Sequence, residues 1–359
     1  MIKFYSIYKS DFKIRNKILN SIKKVINKNN FILGKEVDEF ENNFSKFCGS
    51  KYAISCSNGT DAITLALLSL DLPKNSEVII PAMTYASTFY AVLNAGLKPI
   101  LVDINDKDPL INFDQILDKI TNKTRVIIPV HLYGSVVNIE KLKKKINKKI
   151  FIIDDCAQAH GATLNKKRVG SLSDISCFSL YPGKNLGAYG DAGIITTNNK
   201  IFYNRIKNFR NLGSDKKFIH TQIGFNSRLD TIQAAVLNHK LKNLQNYNKK
   251  RIKIAKIYNR DIKNYKISKL LYSKGSVYHQ YVILVEDRDK LKRLFDKKKI
   301  QYGYHYPQSI NQLDSLTKIF KGKKFKNAEK IANKCISIPI DPTLNKKDID
   351  KIITVLNSF

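Results

Sequence analysis

The sequence predicts an α/β fold whose mostly parallel sheet is flanked by helices and followed by a smaller α+β domain. Short apolar runs of strand length alternate with helical patterns, as in βαβ units. The runs are apolar throughout, which is typical of strands covered on both faces. A chain of 359 residues also exceeds one ordinary domain. We therefore expect N-terminal helices and a large domain over residues 1–245, and a small C-terminal domain over residues 246–359.

The individual elements are predicted from periodicity. Apolar residues between Ile14 and Ile26 recur at helical spacing, and a second helix is predicted over residues 36–47. The strands predicted for the large domain are residues 78–80, 100–102, 126–130, 150–153, 175–180 and 194–196. The small domain is expected to contain a long basic helix, a strand at 278–285, and helices at 289–298 and 346–356. Ligands of such sheets bind beyond the carboxyl ends of the strands, so the residues that follow the strands are the candidates for a site.

The formal net charge of +33 raises the question of nucleic-acid binding, because basic proteins gain affinity for polyanions by releasing counterions. The lysines lie in short, scattered runs mixed with Asn and Ile, without a helix-turn-helix pattern or a basic face with interleaved aromatic residues. We therefore expect solvated faces and no nucleic-acid partner. A positive field would still help to collect a small anionic substrate.

The N-terminal residues, the apolar runs and the cysteines indicate where the protein is located. The first 25 residues contain no uninterrupted apolar stretch and no small-residue cleavage site. No apolar run approaches the roughly 20 residues that cross a bilayer. The five cysteines are odd in number and lack metal-binding spacing. We expect a cytoplasmic protein with packed, reduced thiols, no membrane partner and no metal site.

A Gly-containing turn, residues 57–61, leads into a predicted helix over residues 62–70. Free N–H groups and the positive end of the helix dipole meet at such a point, which suits a phosphate group. The alternative is an ordinary helix start, in which Thr60 or Asp61 caps the first turn. Tyr85 follows the strand at 78–80, and there it either lies against a flat heteroaromatic ring or packs in the core.

Two adjacent carboxylates, Asp154 and Asp155, directly follow the strand at 150–153. Buried carboxylates are costly unless a cation pairs with at least one of them, so a functional role is indicated. A metal site is the competing use, but companion ligands at suitable spacing are missing.

Lys184 follows the strand at 175–180 and lies in a loop with four glycines, a backbone that can approach a ligand closely. The segment is not a phosphate-binding P-loop, because Asn185 stands where Ser or Thr is required. A partly buried lysine loses its proton more readily, as an imine-forming amine must. The alternative is a surface lysine in a lysine-rich chain.

Taken together, these motifs resemble those of the DegT/DnrJ/StrS family, the sugar aminotransferases among the fold-type I pyridoxal-phosphate (PLP) enzymes. The resemblance extends over nearly the whole chain. It is carried by residues 31–37, 57–62, 131–134, 155–162, 182–187, 224–230, 233–235 and 305–307. It implies an aspartate aminotransferase-like fold, PLP as cofactor, glutamate as amino donor and a nucleotide-linked keto-sugar as acceptor.

Carried over residue by residue, the resemblance implies that Lys184 is the Schiff-base lysine and also the acid and base of the reaction. Asp155 would bond the pyridine nitrogen and keep it protonated. Gln158 would lie beside the phenolic oxygen of the cofactor, and Tyr85 would stack on its ring. Ping-pong kinetics should follow from two half-reactions in one site.

The resemblance also implies a cradle for the cofactor phosphate and a set of substrate contacts. The cradle residues would be Gly59, Thr60, Asp61, Ser179 and, contributed by the neighbouring subunit, Asn226. The candidates for holding the sugar and its diphosphate are Tyr181, His305, Tyr306 and, again from the neighbouring subunit, Lys217. An active site of this kind requires a homodimer.

The substrate follows from finer features of the resemblance. Residues 182–191 and 305–307 resemble members that act on C3 of dTDP-linked 3-keto-6-deoxyhexoses. The chain departs from many members at Asp154, where they have Glu, and at residues 309–312, where they have a second His. The alternatives are a UDP-sugar or C4-keto-sugar aminotransferase, and a non-catalytic PLP-binding regulatory protein. Relatives that dehydrate sugars typically have His at the lysine position, so Lys184 argues against that reaction.

Overall fold

The computed structural model describes residues 1–216 and 218–359. Its α-helices are α1 (Ile7–Ser10), α2 (Arg15–Lys28), α3 (Lys35–Cys48), α4 (Gly59–Ser69), α5 (Ala86–Asn94), α6 (Phe113–Lys119), α7 (Ile139–Lys145), α8 (Lys200–Phe209), α9 (Thr231–Asp261), α10 (Arg288–Lys298), α11 (Lys326–Lys334) and α12 (Lys346–Asn357). Short 3-10 helices lie at Leu132–Gly134, Ile310–Gln312 and Asp314–Leu316.

The strands form one large sheet and three small ones. They are β1 (Tyr52–Cys56), β2 (Glu77–Pro81), β3 (Lys98–Val102), β4 (Thr124–Ile127), β5 (Phe151–Asp155), β6 (Thr163–Leu164), β7 (Lys167–Arg168), β8 (Ile175–Ser179), β9 (Gly193–Thr197), β10 (Ser214–Lys216), β11 (Ile219–His220), β12 (Ser268–Lys269), β13 (Tyr281–Leu284) and β14 (Cys335–Ile338). All six strands predicted for the large domain are present, with ends that differ by up to three residues.

The large sheet has the strand order β1-β9-β8-β5-β4-β2-β3. All neighbouring strands are parallel except β9, which is antiparallel to both β1 and β8. This confirms the predicted α/β architecture with a mostly parallel sheet. The edge strand β1 was not predicted, because its five residues lie in a short segment between two helices and mix apolar with small polar side chains.

Helices cover both faces of this sheet. Val78 and Ile80 pack in one apolar cluster with residues of α4 and α5, whereas Ile79 packs in a second cluster with Phe40 and Phe44 of α3. Successive side chains of a strand point to opposite faces, so a strand that is apolar at every position must be buried on both sides. The continuous apolar runs of the sequence have this physical cause.

The small domain has its own core. Strands β12, β13 and β14 form an antiparallel sheet, and a third apolar cluster joins β13 and β14 to α10, α12 and the second half of α9. Helix α9 is 31 residues long and crosses residue 245: Leu244 packs under the large sheet, whereas Tyr258 packs in the small domain. The division at residue 245 stays a prediction. Over the described residues, none of the helices has both the length and the apolar character needed to cross a membrane.

Candidate active site

A cavity of about 800 Å³ lies at the carboxyl ends of the central strands. Its wall includes residues that follow β2, β4, β5 and β8, which are separated in sequence but are four consecutive strands of the sheet. Of the residues singled out from the sequence, the following line this cavity: Gly59, Thr60, Asp61, Tyr85, Asp155, Gln158, Ser179, Tyr181, Lys184, His305 and Tyr306. Asn226 does not line it, and Lys217 lies outside the described residues.

The turn before α4 caps the helix and also forms part of a concave surface that could hold a phosphate group. The Asn58 side chain accepts a hydrogen bond from the Asp61 backbone N–H at 2.8 Å, so Asn58 is the capping residue. A Cβ atom on Gly59 would lie 2.6 Å from the Cβ of Ser179, closer than real atoms approach, so only glycine lets the helix start come this near to the end of β8. The start of α4 and Ser179 therefore form one concave surface for an anion.

The Asp61 carboxylate has hydroxyl partners on both sides. It accepts hydrogen bonds from Ser57 at 2.5 Å and from Ser227 at 2.7 Å. Ser227 directly precedes Arg228 and follows Asn226, so this contact ties the segment around residue 226 to the start of α4. Thr60 donates to Ser87 at 2.9 Å, which links the same helix start to α5.

The Asp155 side chain is buried at the end of β5 and accepts two hydrogen bonds. One comes from the Thr88 hydroxyl at 2.8 Å and one from the Ala157 backbone N–H at 3.0 Å. Burial raises the pKa of Asp155, although these two donors and the charge of Lys184 oppose the shift. Within the described part of the chain the carboxylate has no cationic hydrogen-bond partner, so a positively charged group of a ligand would be stabilised there.

The neighbouring carboxylate, Asp154, has a different environment. It is fully buried and bonded to His131 Nε2 at 3.0 Å and to the Ser173 hydroxyl. Burial opposes its ionisation, but these bonds, from His131 first, hold the pKa of Asp154 below its usual value. The Val137 backbone N–H donates to His131 Nδ1 at 3.0 Å, so the proton of the neutral ring is on Nε2 and points at Asp154. Asp154 is therefore satisfied within the protein.

Cys156 joins His131 and Asp154 in a group of possible metal ligands whose donor atoms lie within 4.8 Å of one another. Spacing along the sequence gave no sign of this group, because His131 is distant in sequence and adjacent only in the sheet. Both ring nitrogens of His131 already make hydrogen bonds, and burial raises the pKa of the Cys156 thiol well above its usual range. The hydrogen bonds account for the cluster without a metal.

Lys184 lies in a tight loop after β8. Its backbone N–H donates to the Tyr181 carbonyl at 2.9 Å, and a Cβ on Gly187 would lie 2.4 Å from the Pro182 carbonyl oxygen, so the loop closes only with glycine there. Burial lowers the pKa of Lys184 to about 8, and the negative charge of Asp155 limits that shift. The amine is therefore unprotonated more often near neutral pH than that of an exposed lysine, which favours a nucleophilic role.

Gln158 joins two tyrosines at the cavity wall. Its side-chain oxygen accepts from the Tyr133 backbone N–H at 2.6 Å, and its amide donates to the Tyr306 hydroxyl at 2.9 Å. The rings of Tyr306 and Tyr85 lie 5.4 Å apart. Tyr85 is 58% exposed, so it is a cavity wall and not a core residue.

His305 reaches the cavity from the small domain. Its Nδ1 is bonded to Ser337 at 2.8 Å, and the Tyr133 hydroxyl donates to its backbone carbonyl. Burial lowers the pKa of His305 to about 4, with a further contribution from the charge of Lys184, so the ring is neutral at physiological pH. Tyr181, on the opposite loop, is half exposed.

Several residues of the site were missed from the sequence. Thr88 donates a hydrogen bond to Asp155. The only sequence feature that could have identified Thr88 is its position on the first turn of α5, three residues after Tyr85. His279 lines the cavity and is bonded through Nδ1 to the Asn185 side chain at 3.1 Å. Phe4 and Tyr5 also line it, although they are some 180 residues from Lys184 in sequence. Only the tertiary structure brings these side chains to one cavity.

The residues fit a flat, phosphorylated, heteroaromatic cofactor. The glycine at position 59 leaves room for an anion at the start of α4, where an alanine would collide with Ser179. Tyr85 offers an exposed ring face, Asp155 a buried carboxylate without a cation, and Lys184 an amine with a lowered pKa. PLP has the complementary groups: a phosphate, an aromatic ring, a basic ring nitrogen and an aldehyde.

Comparisons with known proteins agree with this site. Residues 13–357 match the model of the DegT/DnrJ/EryC1/StrS aminotransferase family. The whole chain is 38% identical to dTDP-3-amino-3,6-dideoxy-alpha-D-galactopyranose transaminase of Aneurinibacillus thermoaerophilus, of which 99% is covered. It is also 33% identical to UDP-2-acetamido-2-deoxy-3-oxo-D-glucuronate aminotransferase of Pseudomonas aeruginosa, and both chains are covered completely.

The fold is likewise that of a solved aminotransferase. The X-ray structure of S. venezuelae DesV in complex with a ketimine intermediate superposes with a TM-score of 0.96 at 30% sequence identity. The match covers 99% of this chain and 98% of that one. The predicted fold class, with an aspartate aminotransferase-like large domain, is therefore confirmed.

Proposed function

This chain belongs to the DegT/DnrJ/EryC1/StrS aminotransferase family, and from that premise we propose that it transfers an amino group from glutamate to C3 of a dTDP-linked 3-keto-6-deoxyhexose. The family consists of PLP-dependent aminotransferases that act on nucleotide sugars, so this protein is an enzyme with PLP as its cofactor. The amino donor, the nucleotide and the sugar carbon are the parts that we propose. The observation that carries the proposal is the meeting of Lys184 and Asp155 in one cavity with a phosphate cradle.

When bound, PLP takes up the amino group and draws electrons away from the carbon atom that loses or gains a proton. The protein residues provide the conditions for this chemistry. Asp155, which accepts a hydrogen bond from Thr88, would hold the ring nitrogen of the cofactor and keep it protonated. Lys184, with a pKa of about 8, can both accept and return a proton near neutral pH. Neutral His305 and the hydroxyl-bearing Tyr306 line the same cavity, and we propose that they contact the sugar.

The proposal for the sugar depends on similarity. The relative that acts on a dTDP-linked 3-amino-3,6-dideoxyhexose is 38% identical over the whole chain. The UDP-sugar relative, also a C3 enzyme by its name, is 33% identical over the same length. Both names refer to C3, which supports that position over C4. A UDP-linked acceptor remains the second candidate, and it differs from the first in the nucleotide.

Asn226 supports a shared active site. It is exposed and lies outside the cavity of its own chain, although the adjacent Ser227 contacts Asp61. Large apolar side chains near Asn226 in sequence are exposed, among them Ile223 and Phe225. Residues 31–33 are exposed as well, and a backbone hydrogen bond from Thr231 to Phe31 joins them to this part of the chain. Neighbouring large apolar side chains that are exposed to solvent are typical of an interaction surface. We propose that a second copy covers it and that Asn226, together with Lys217, completes the partner's cavity.

A pair of spectra tests the first half-reaction. Purified protein is loaded with PLP and its absorbance is recorded before and after glutamate is added, for the wild type and for Lys184→Ala. We expect glutamate to convert the wild-type cofactor to its amine form and to leave the variant unchanged.

Dialysed amine-form enzyme is then mixed with dTDP-linked and UDP-linked 3-keto and 4-keto sugars, and recovery of the original spectrum identifies the acceptor. If the wild type does not accept nitrogen from glutamate, the proposed donor is wrong. If only UDP-linked or 4-keto sugars restore the spectrum, the proposed acceptor is wrong.

A further inference from the structure

Residues 2–11, which we call the strap, pass along the wall of the cavity. Two aromatic residues of this strap, Phe4 and Tyr5, line the cavity itself. Neither belongs to the motifs at the ends of the large-sheet strands. Their presence there raises the question of what they contact during the reaction.

The strap is attached along its length. Ile2 exchanges backbone hydrogen bonds of 2.9 Å with Lys299 and Gln301, and the Phe4 backbone N–H donates to the Gln301 side chain at 2.9 Å. The Ser6 N–H donates to buried Asp341 at 2.9 Å. These four hydrogen bonds join the strap to the small domain.

The far end of the strap is attached to the large domain and to α9. Asp11 is buried and forms an ion pair of 3.1 Å with buried Lys240 of α9. The hydroxyl of Tyr189, which lies in the loop after Lys184, donates to Asp11 at 2.9 Å, and Tyr247 donates to the Ser10 carbonyl at 2.6 Å. A segment held at both ends presents its middle residues in one position, which lowers the entropy cost of contacting a ligand.

Phe4 and Tyr5 occupy different places in the wall. The Phe4 ring is stacked on the His305 ring, with centroids 5.7 Å apart and planes 13° apart. Tyr5 lies by the loop that bears Lys184, because a Cβ built on Gly183 would be 4.0 Å from Tyr5 and 3.6 Å from Tyr181. Tyr5 is about half exposed, and among the described residues its hydroxyl has no hydrogen-bond partner.

These contacts point to the sugar and not to the amino donor. A half-exposed aromatic ring with an unengaged hydroxyl suits a hexose, which offers apolar C–H faces and hydroxyl groups together. An α-amino acid such as glutamate has no hydroxyl groups and no ring with apolar C–H faces, and its polar groups are carboxylates and an amine. Tyr5 and Lys184 line the same cavity, so a substrate that reaches Lys184 is within the cavity that Tyr5 lines.

We propose that Tyr5 is a specificity-determining residue that contacts the hexose of the acceptor, and that Phe4 is a positioning residue that holds His305 by stacking. This inference rests on the proposed function, since it assigns a part of that same site to the sugar half of the reaction. The strap then has no role in the glutamate half. The two half-reactions occur in one cavity, so a variant can separate them.

The test measures the two half-reactions separately in Tyr5→Ala, Tyr5→Phe and Phe4→Leu holoenzymes. Amine transfer from glutamate is followed by absorbance, and recovery is followed with dTDP-3-keto-6-deoxyhexose. For Tyr5→Ala we expect the apparent KM for the sugar to rise about tenfold, as for the loss of one aromatic contact, with the glutamate rate within about twofold of wild type. Tyr5→Phe should lie between the wild type and Tyr5→Ala. Phe4→Leu should lower kcat of the sugar half-reaction, and Phe4→Tyr, which retains the stacked ring, should restore it.

Tyr8→Phe and Tyr8→Ala are matched controls. Tyr8 is in the same strap, is 66% exposed, does not line the cavity and contacts Arg15 through its ring. Both variants should retain both half-reactions. If Tyr5→Ala leaves the sugar half-reaction unchanged, or slows both half-reactions equally, the inference is overturned while the proposed function stands. If the wild type transfers nitrogen to none of the nucleotide keto-sugars, the proposed function and this inference fail together, and the wild-type data alone show it.

Discussion

The hydroxyl of Thr88, on the first turn of α5, donates a 2.8 Å hydrogen bond to the buried carboxylate of Asp155 at the end of β5. Thr84 and Thr88 are themselves joined by a hydrogen bond of 2.9 Å. The acid that is expected to face the cofactor nitrogen is thus oriented by a helix that follows a different strand. A carboxylate held in this way is directed at one point without being neutralised by a cation.

Thr88→Val tests this orientation. The substitution keeps the shape of the side chain and removes the donor, so Asp155 retains only the Ala157 N–H. We expect the Kd for PLP to rise about tenfold, as for the loss of one hydrogen bond to a charged group. Thr196→Val is the matched control, because Thr196 is equally buried and donates to the Gly170 carbonyl at 2.7 Å, remote from the cavity. An unchanged Kd in Thr88→Val would contradict the assignment.

The two adjacent acids should respond differently to the same substitution. Asp155→Asn removes the carboxylate that we propose pairs with the ring nitrogen of PLP, so we expect nitrogen transfer from glutamate to slow by on the order of 100-fold, with little change in stability. Asp154→Asn weakens the bonds to His131 and Ser173, so we expect the free energy of unfolding to fall by on the order of 2 kcal/mol. Thermal unfolding and single-turnover absorbance separate the two effects. Equal activity losses in both variants would show that the acids share one role.

The capture of PLP by the apoenzyme should depend on pH through Lys184. Burial lowers the pKa of its amine to about 8, and the unprotonated amine is the nucleophile. The rate of PLP capture should therefore rise from pH 7 and level off above pH 9, with a midpoint near 8. The negative charge of Asp155 raises this pKa, so the midpoint should move to lower pH in Asp155→Asn. A midpoint near 10 in the wild type would mean that Lys184 is solvated.

Stability in acid should depend on His160. This ring is completely buried, neither nitrogen makes a hydrogen bond of good geometry among the described residues, and burial, together with the positive charge of Lys184, lowers its pKa to about 3. In the unfolded chain this histidine is protonated below about pH 6.5, whereas in the folded chain it stays neutral down to about pH 3. The free energy of unfolding therefore decreases as the pH falls from 6.5 toward 3. At pH 5 the loss attributable to this one group is on the order of 2 kcal/mol.

His160→Phe removes that titration and retains a ring against Phe178, 5.4 Å away in the wild type. Denaturant unfolding at pH 7 and pH 5 should show a smaller pH difference in the variant than in the wild type. The exposed His220 supplies the control, since His220→Gln should leave the difference unchanged. An equal loss of stability in wild type and His160→Phe would assign the acid sensitivity to other groups.

Much of the site was predictable because its residues follow strands. Asp155 and Lys184 follow apolar runs and Ser179 lies at the end of one, and a parallel sheet brings the ends of such runs to one edge. The roles of the single residues came from family resemblance, and they stay predictions. Helix ends and strand ends shifted by a few residues, because a hydrogen-bonded ladder and not the apolar pattern decides where an element stops.

The sequence by itself determined the fold class, the two-sided burial of the large sheet and the lysine and acid that meet in the cavity. These follow from local periodicity and from motifs that are contiguous in the chain. The tertiary structure decided the partners of Asp155 and Asp154, the placement of His279, and the strap that brings Phe4 and Tyr5 to the cavity. Those contacts join residues that are distant in sequence, and no local pattern encodes which distant surfaces meet. They form only when the sheet, the long helix and the small domain have packed together.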